Sequence, residues 1–253
     1  MKVSIITSCF NREATIADTI RSVLAQTYSD VEYIVIDGAS TDGSLAVIEQ
    51  YKDRIATIVS EPDHGMYEGV NKGLRRATGD IVGLMHSDDV YYSRDTLEHI
   101  VNMFEQTGVD LVYGNGLFVD ADDTAKVVRN WISGRYSKSR MRRGWLPLHP
   151  TVYVRRECLE RLGLYDESFK IAADSDWLIR YMYEGNLRIA YLDEYIVKMR
   201  MGGLSTDPDK MKQKWAEDLR MYRRHGFSPY WTLCCKIASK IPQFISAKFV
   251  GRG

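Results

Sequence analysis

Two adjacent carboxylates, Asp88 and Asp89, end the apolar run in GDIVGLMHSDD, Gly79 to Asp89. Ile81 to Met85 reads as a buried strand. The acid pair therefore falls at a strand's carboxyl end, where an open α/β sheet keeps its ligand crevice. Two acids at such an edge repel each other unless something cationic lies between or beside them. A hard divalent ion is the natural partner, and Mg²⁺ commonly bridges one or two carboxylates to phosphate oxygens. The chemistry suggested is a metal and diphosphate site. A solvated Asp-Asp turn, or a cap for a helix over Tyr91 to Asp95, would use the same residue types.

Polar groups end three earlier segments in the same way. Thr7 to Arg12 follow a strand expected over Val3–Ser8, Asp37 ends one over Val31–Asp37, and Glu61 and Asp63 follow one over Arg54–Ser60. If these strands are neighbours, the groups line one edge. Asp37 can accept a hydrogen bond from a ring N–H, or act as the turn residue before Gly38. Asn11 and Arg12 suit phosphate or ribose. The first turn, TSCFNRE, has no glycine, which argues against a dinucleotide-binding domain. A P-loop is also absent.

The elements that must position these groups alternate. Helical spacing over Glu13–Gln26, Ser44–Tyr51 and Tyr67–Ala77 separates the strands, the fourth of which is Asp80–Met85. This predicts a parallel sheet with helices on both faces over about residues 1–115. The second half is less regular. Strands are expected over Asp110–Val119, Thr151–Arg155, Arg188–Leu192 and Tyr195–Met199, with helices over Asp174–Glu184 and Pro208–His225. Ser133–Gly144 reads as a basic loop. Its Arg135, Lys138, Arg140, Arg142 and Arg143 suit phosphate but equally suit water.

The 253 residues, 45% hydrophobic and 27% charged, are ordinary for a soluble protein with a sizeable core. No segment is long and apolar enough to span a bilayer, and the N-terminus reads as a first strand rather than a signal peptide. Cys9, Cys158, Cys234 and Cys235 have no metal-site spacing, as expected of reduced thiols in a cytoplasmic protein. The net charge of zero hides an asymmetry. From Lys210 onward ten Lys and Arg stand against Glu217 and Asp218, a net +8 that leaves −8 on the rest. In this tail Leu233, Ile237, Ile241, Phe244 or Ile245, and Phe249 recur at helical spacing among Lys236, Lys240 and Lys248, with Pro242 as a break. Such a segment suits a membrane interface or docking onto the main domain.

Two blocks carry a family resemblance. TSCFNREATIADTIRSVLAQTYSDVEYIVIDGASTDGS and SEPDHGMYEGVNKGLRRATGDIVGLMHSDD resemble the opening of a family 2 glycosyltransferase, in particular the bacterial surface-polysaccharide branch. LHPTVYVRRECLERLGLYDESFKIAADSDWLIRY resumes the likeness. The resemblance implies a GT-A fold: a Rossmann-like, mostly parallel central sheet flanked by helices. The catalytic domain would cover residues 1–205, with a nucleotide-binding half to 115 and an acceptor half from 116. A basic, amphipathic helical extension would cover 206–253.

By position the family implies that Thr7, Asn11 and Asp37 hold the nucleoside, and that Asn71 and Lys72 shape the sugar-phosphate pocket. Arg12 joins the donor set on its own chemistry. Asp88 and Asp89 match the end of the family's DxD region, which meets ribose and a Mn²⁺ or Mg²⁺ ion. His149, in LHPT, suits a late metal ligand or an acceptor contact, and equally a hydrogen-bonded structural role. Asp174 falls on the Asp of the Glu-Asp motif that supplies the general base, and Asp176 stays an alternative. Two positions depart from the pattern: His86 replaces the first Asp of DxD, where it can serve the nucleotide sugar as a hydrogen-bond donor or simply pack, and Ala173 replaces the Glu before the base. The implied activity is metal-dependent, inverting transfer from a nucleotide sugar, UDP-sugars favoured, to a glycan or lipid-linked acceptor. It would take place at the inner face of the cytoplasmic membrane, in polysaccharide, capsule or lipopolysaccharide assembly. A nucleotidyltransferase, or a non-catalytic nucleotide-binding protein on this fold, is the alternative.

Overall fold

The computed structural model describes residues 1–202 and 210–239. Strand β1 (Val3–Cys9) is almost wholly buried, as a near-continuous apolar run demands, and only Ser8 keeps partial exposure. It pairs in parallel with β2 (Val31–Asp37) on one side and β4 (Ile81–Leu84) on the other, and β3 (Thr57–Ser60) lies outside β2. Register sets Cys9 beside Asp37, and Asp37 beside Ser60. The carboxyl ends of these strands therefore form one edge.

Three helices return the chain between them: α1 (Ile16–Leu24), α2 (Ser44–Glu49) and α3 (Met66–Leu74). Ile16, Ile20 and Val23 make the buried stripe of α1. Helix α3 lies close on β1 through Gly69 and Gly73. A Cβ at Gly69 would stand 2.5 Å from Ser8 Oγ, and one at Gly73 would collide with Ile6.

The remaining elements are β5 (Val90–Tyr91), α4 (Thr96–Thr107), β6 (Leu111–Val119), β7 (Val127–Trp131), α5 (Lys138–Arg142), β8 (Tyr153–Arg155), α6 (Arg156–Leu162), α7 (Ala173–Leu178), β9 (Ile189–Arg200), α8 (Met211–Arg224) and α9 (Pro229–Ala238). Strand order is β3-β2-β1-β4-β8-β6-β9-β5, with β7 paired to β6. The parallel sheet expected from the alternation ends at β4. Beyond it, β8 runs antiparallel to both β4 and β6, while β6 and β9 are parallel.

Several expectations change. The helix considered over Tyr91–Asp95 is absent; Val90 and Tyr91 instead pair with Lys198 and Val197. Helix α4 was not foreseen, although Leu97, Ile100, Val101 and Phe104 have the period of a buried stripe and Gly108, at φ 63°, caps it in the left-handed region. The two strands expected around Asp193 are one strand, β9. Its register against β6 shifts near Asn115, and Asn115 Nδ2 and Tyr191 OH both donate to Asp193 Oδ1, at 3.0 and 2.7 Å. A bulge that keeps its polar groups paired reads in sequence like a break.

Each face of the sheet carries a core. One gathers Ile5, Val35, Ile16, Ile20, Ile100 and Phe104. The other gathers Ile6, Ile36, Tyr67, Trp177, Tyr181 and Tyr222. Tyr222 and Met221 belong to α8, so that helix is built into the core rather than appended to it.

Far from the site edge, Glu32 on β2 accepts from Lys2 Nζ at 2.8 Å and from Thr78 N–H at 2.7 Å, and also from Ser4 and Thr78 hydroxyls. Burial alone would raise its pKa, but these donors hold it at about 2. Its folded pKa lies below the unfolded one. The stabilisation, about 3 kcal/mol at neutral pH, is therefore complete above about pH 4.5 and fades as pH falls toward 2. Glu32→Gln should flatten the acid limb of a urea-melt series between these values.

Candidate active site

A cleft of about 1080 Å³ opens at the carboxyl ends of the parallel strands. Ser8, Asn11, Arg12 and Asp63 line one end, His86, Asp88 and Asp89 the middle, and Asp174 with Lys214 and Lys236 the far side. The edge anticipated from strand ends therefore exists, but it does not present all the anticipated side chains.

Asn11 and Arg12 are on the cleft. Asn11 sits at φ 51°, a left-handed conformation Asn tolerates. Its Oδ1 accepts from Thr41 N–H at 2.8 Å, and its own N–H donates to Ser40 Oγ at 2.9 Å. Arg12 N–H donates to Ser44 Oγ at 2.6 Å, leaving a half-exposed guanidinium at the mouth, 3.9 Å from Asp88 Oδ2.

Four expected contacts lie behind the lining. Thr7 is fully buried and its Oγ1 donates to the Met85 carbonyl at 2.7 Å, locking β1 to the end of β4. Asp37 is fully buried and accepts from Ser40 N–H at 3.1 Å and from Ser60 Oγ at 2.7 Å, as well as from Ser40 Oγ. The Asn71 amide is spent: Nδ2 donates to the Tyr165 carbonyl at 2.9 Å and to Glu167 at 2.7 Å, and Oδ1 accepts from Tyr165 N–H at 3.0 Å. Lys72 donates to the Pro62 carbonyl at 2.8 Å and pairs with Glu61 and Glu68. Buried polar groups must be satisfied, and here these four hold the scaffold rather than face the cleft.

The acid pair divides its work. Asp88 is partly exposed in the cleft. Asp89 is buried; its Oδ1 accepts from Arg200 N–H at 3.1 Å, and Oδ2 has no hydrogen-bond partner among the described residues. Burial and then the Asp88 charge push its pKa well up, against the Arg200 amide and guanidinium. Arg200, which sequence reading missed, also donates to the Asp88 carbonyl at 2.8 Å and to Asp18 Oδ2 at 2.6 Å.

His149 does not join them. Its ring is buried against His86 and Trp177, Nε2 bonds the Tyr165 hydroxyl at 2.7 Å, and burial followed by the neighbouring His86 lowers its pKa to about 3. Among the described residues no three His, Cys, Asp or Glu side chains are grouped to hold an ion. The expected trio of Asp88, Asp89 and His149 is therefore not assembled. An accessible carboxylate beside an orphaned carboxylate oxygen does fit a Mg²⁺- or Mn²⁺-like ion that takes its other ligands from phosphate and water.

His86 lines the same cleft. Burial lowers its pKa, while Asp88 and Asp174 both act in the opposite sense, so it lies within reach of the two charges. Asp174 is on the cleft, and its Oδ1 accepts from Ser175 N–H at 2.7 Å. Asp176 is not. Its side chain is fully buried, with Oδ2 2.9 Å from Arg180 Nε and Oδ1 2.9 Å from His225 Nε2. Burial opposes its charge, but these two bonds hold its pKa down. It cannot meet a substrate.

The loop that leads into α7, the helix of Asp174, is fixed from α8. Glu217 accepts from the backbone N–H groups of Lys170, Ile171 and Ala172, at 3.1, 2.8 and 3.0 Å. Of the basic side chains of this loop only Arg140 lines the cleft, over the Trp145 ring at 4.5 Å; Lys138 and Arg142 lie over Tyr183. Helix α9 closes the far wall. Its Lys236 reaches both oxygens of buried Asp218, at 2.9 and 3.1 Å. Thr232 Oγ1 donates to the Arg142 carbonyl at 2.9 Å. Leu233 also packs inward. The exposed face of α9 is thus Tyr230, Trp231 and Ile237 rather than a stripe through Leu233. The rest of the expected stripe, Lys240 onward, and the Pro208 start of the preceding helix lie outside the described residues. No helix among the described residues is long and apolar enough to cross a membrane.

Known proteins resemble this chain in sequence and in fold. Residues 4–162 match the model for "Glycosyl transferase family 2". The uncharacterized glycosyltransferase Rv1514c of Mycobacterium tuberculosis is 32% identical over 182 residues, 70% of this chain and 68% of that protein. The PGL/p-HBAD biosynthesis glycosyltransferase of Mycobacterium bovis is 27% identical over 98% of this chain and 94% of its own. Among solved structures, S. aureus TarS 1-349 in complex with UDP-GlcNAc superposes with a TM-score of 0.69 at 20% identity, over 87% of this chain and 65% of that one. Mannosyltransferase PcManGT from Pyrobaculum calidifontis, in complex with GDP-Man and Mn²⁺, does so with a TM-score of 0.63 at 19% identity, over 94% and 73%. The chain spans 39% of the longer TarS chain. The sheet and its flanking helices are those of the GT-A fold. The chain belongs to glycosyl transferase family 2.

Proposed function

We propose that this glycosyltransferase moves one sugar, with inversion, from a nucleoside-diphosphate sugar to a hydroxyl of a lipid-linked glycan in bacterial surface-polysaccharide assembly. One observation carries the reading: a carboxylate free to meet an acceptor, Asp174, and one free to meet a diphosphate, Asp88, open into the same cleft with His86 under the influence of both. Arg12 and Asn11 hold the donor's phosphate and ribose. The Ser175 N–H orients Asp174 through Oδ1 and leaves Oδ2 to take the acceptor proton. As the hydroxyl oxygen bonds to the anomeric carbon, the bond to the diphosphate oxygen breaks on the opposite side. A divalent ion held by Asp88, with Asp89 beneath it, would supply Lewis-acid stabilisation of the departing charge.

UDP-sugars are the favoured donors, since UDP and UDP-GlcNAc are bound by the structurally similar TarS. The outer face of α9, Tyr230, Trp231 and Ile237, with the basic tail that follows in sequence, would rest on the cytoplasmic membrane surface where such an acceptor lives. The test is a thermal-shift panel of UDP, GDP, dTDP and CDP with and without Mn²⁺. A bound nucleotide at a hundredfold excess over its Kd should stabilise by about 2.7 kcal/mol, and the shift should need the ion. A chain that responds to none of the four is not this enzyme.

A further inference from the structure

We infer that His225 is a pH-sensitive latch: as an imidazolium it ties the end of α8 to the helix of the candidate base, and loss of its proton at alkaline pH releases the tie. The inference goes beyond the transferase reading and holds for any donor or acceptor. His225 follows the last turn of α8, and its side chain is only 4% exposed. Both ring nitrogens face carboxylates of another helix. Nε2 lies 2.9 Å from Asp176 Oδ1 on α7. Nδ1 lies 2.8 Å from Glu184 Oε1, at the end of the π-helical continuation of α7, Ile179–Glu184. A neutral imidazole has one N–H and one lone pair, so it serves one carboxylate while opposing the other. Only the imidazolium donates to both.

The other charged groups around the ring are engaged among themselves. From the α7 side, Arg180 Nε donates to Asp176 Oδ2 at 2.9 Å; with His225 it keeps Asp176 ionised despite burial. Beside His225 in the chain, Arg224 reaches Asp166, in the loop after α6, and approaches Asp176 Oδ1 to 3.6 Å. Arg161 of α6 is turned to the Gly185 carbonyl, next to Glu184. Burial and the two nearby guanidiniums oppose a further cation. The two carboxylates favour it, as does the carboxyl end of α8. Burial would lower the pKa of His225, but the bonds to Asp176 and Glu184 raise it. The folded pKa thus lies above the unfolded one, about 6.5. The stabilisation is complete below about pH 6.5 and is lost as pH rises through the folded value. What loosens is the joint between the helix that carries Asp174 and the helix whose Glu217 fixes the loop before it.

Urea melts of the full chain from about pH 6 to about pH 10, for wild type and His225→Gln, test this. The wild-type midpoint should stand above that of the variant at the acid end, and the two should converge as pH rises. Nitrogen-15 spectra of the imidazoles read the ring directly. The signal missing from His225→Gln should show both nitrogens protonated in the neutral wild-type sample. Should His225→Gln not fold, Glu184→Gln decides. Glu184 is half-exposed, and removing its charge should move the alkaline fall of the midpoint to lower pH. A constant gap between wild type and His225→Gln overturns the latch. So does a His225 ring that is already neutral at neutral pH, or a Glu184→Gln curve that falls where wild type does. None of these results touches the transferase reading, which the nucleotide panel tests separately.

Discussion

Asp174→Asn should abolish transfer while leaving nucleotide affinity and the melting temperature close to wild type. The acceptor hydroxyl is a poor nucleophile until its proton has somewhere to go, and a positioned base supplies roughly 10²–10⁴-fold. Asn keeps the bond from Ser175 N–H and the side-chain volume, so only the proton acceptor is lost. Asp176→Ala should behave in the opposite way. It strips the buried partner from Arg180 and His225, and removing one member of a buried ion pair costs roughly 3–5 kcal/mol. Its signature is a large fall in melting temperature, with transfer lost only as far as the fold is lost. Initial-rate assays with denaturation curves on both variants separate these outcomes. Full activity in Asp174→Asn would remove Asp174 from the mechanism.

That contrast also marks where sequence stops being informative. Asp174 and Asp176 lie two positions apart at the start of a helix, so period alone says that they cannot share a face. It does not say which face is inward. The answer comes from His225, 49 residues away, and from Arg180. Asp88 and Asp89 were legible because an apolar strand ends on them, and their place at the cleft follows from parallel pairing alone. Thr7 and Asp37 were legible as strand ends. Whether their side chains reach the cleft depends on partners such as Tyr33, Ser40 and Ser60, which no spacing rule supplies. Asn71 is claimed by a backbone segment 94 residues on. Arg200 reaches Asp18 across 182 residues, and the far wall is made by α8 and α9, whose sequence shows only amphipathic helices. Local pattern sets the near half of the site, while long-range polar pairing decides which acids stay open.

Asp88→Asn should cost the enzyme its response to the ion. The substitution keeps the size of the side chain and removes the charge that would share a cation with the donor diphosphate. The Mn²⁺-dependent part of the UDP thermal shift should therefore disappear. Transfer should fall by roughly 10²–10³-fold, the range for deleting one group that stabilises developing charge. His149→Gln is the informative companion. His149 is buried and its Nε2 is engaged by Tyr165, so the variant should lose stability yet keep the Mn²⁺ dependence of UDP binding. Mn²⁺ titrations followed by electron paramagnetic resonance, in the presence of UDP, read the ion directly for both variants. Equal loss of Mn²⁺ affinity in the two would return His149 to the ligand set and require the ring to leave Tyr165 when donor binds. Loss in Asp88→Asn alone would mean that the chain supplies its ion mainly through one accessible carboxylate. In that case the nucleotide completes the coordination, and ion and donor bind as a unit.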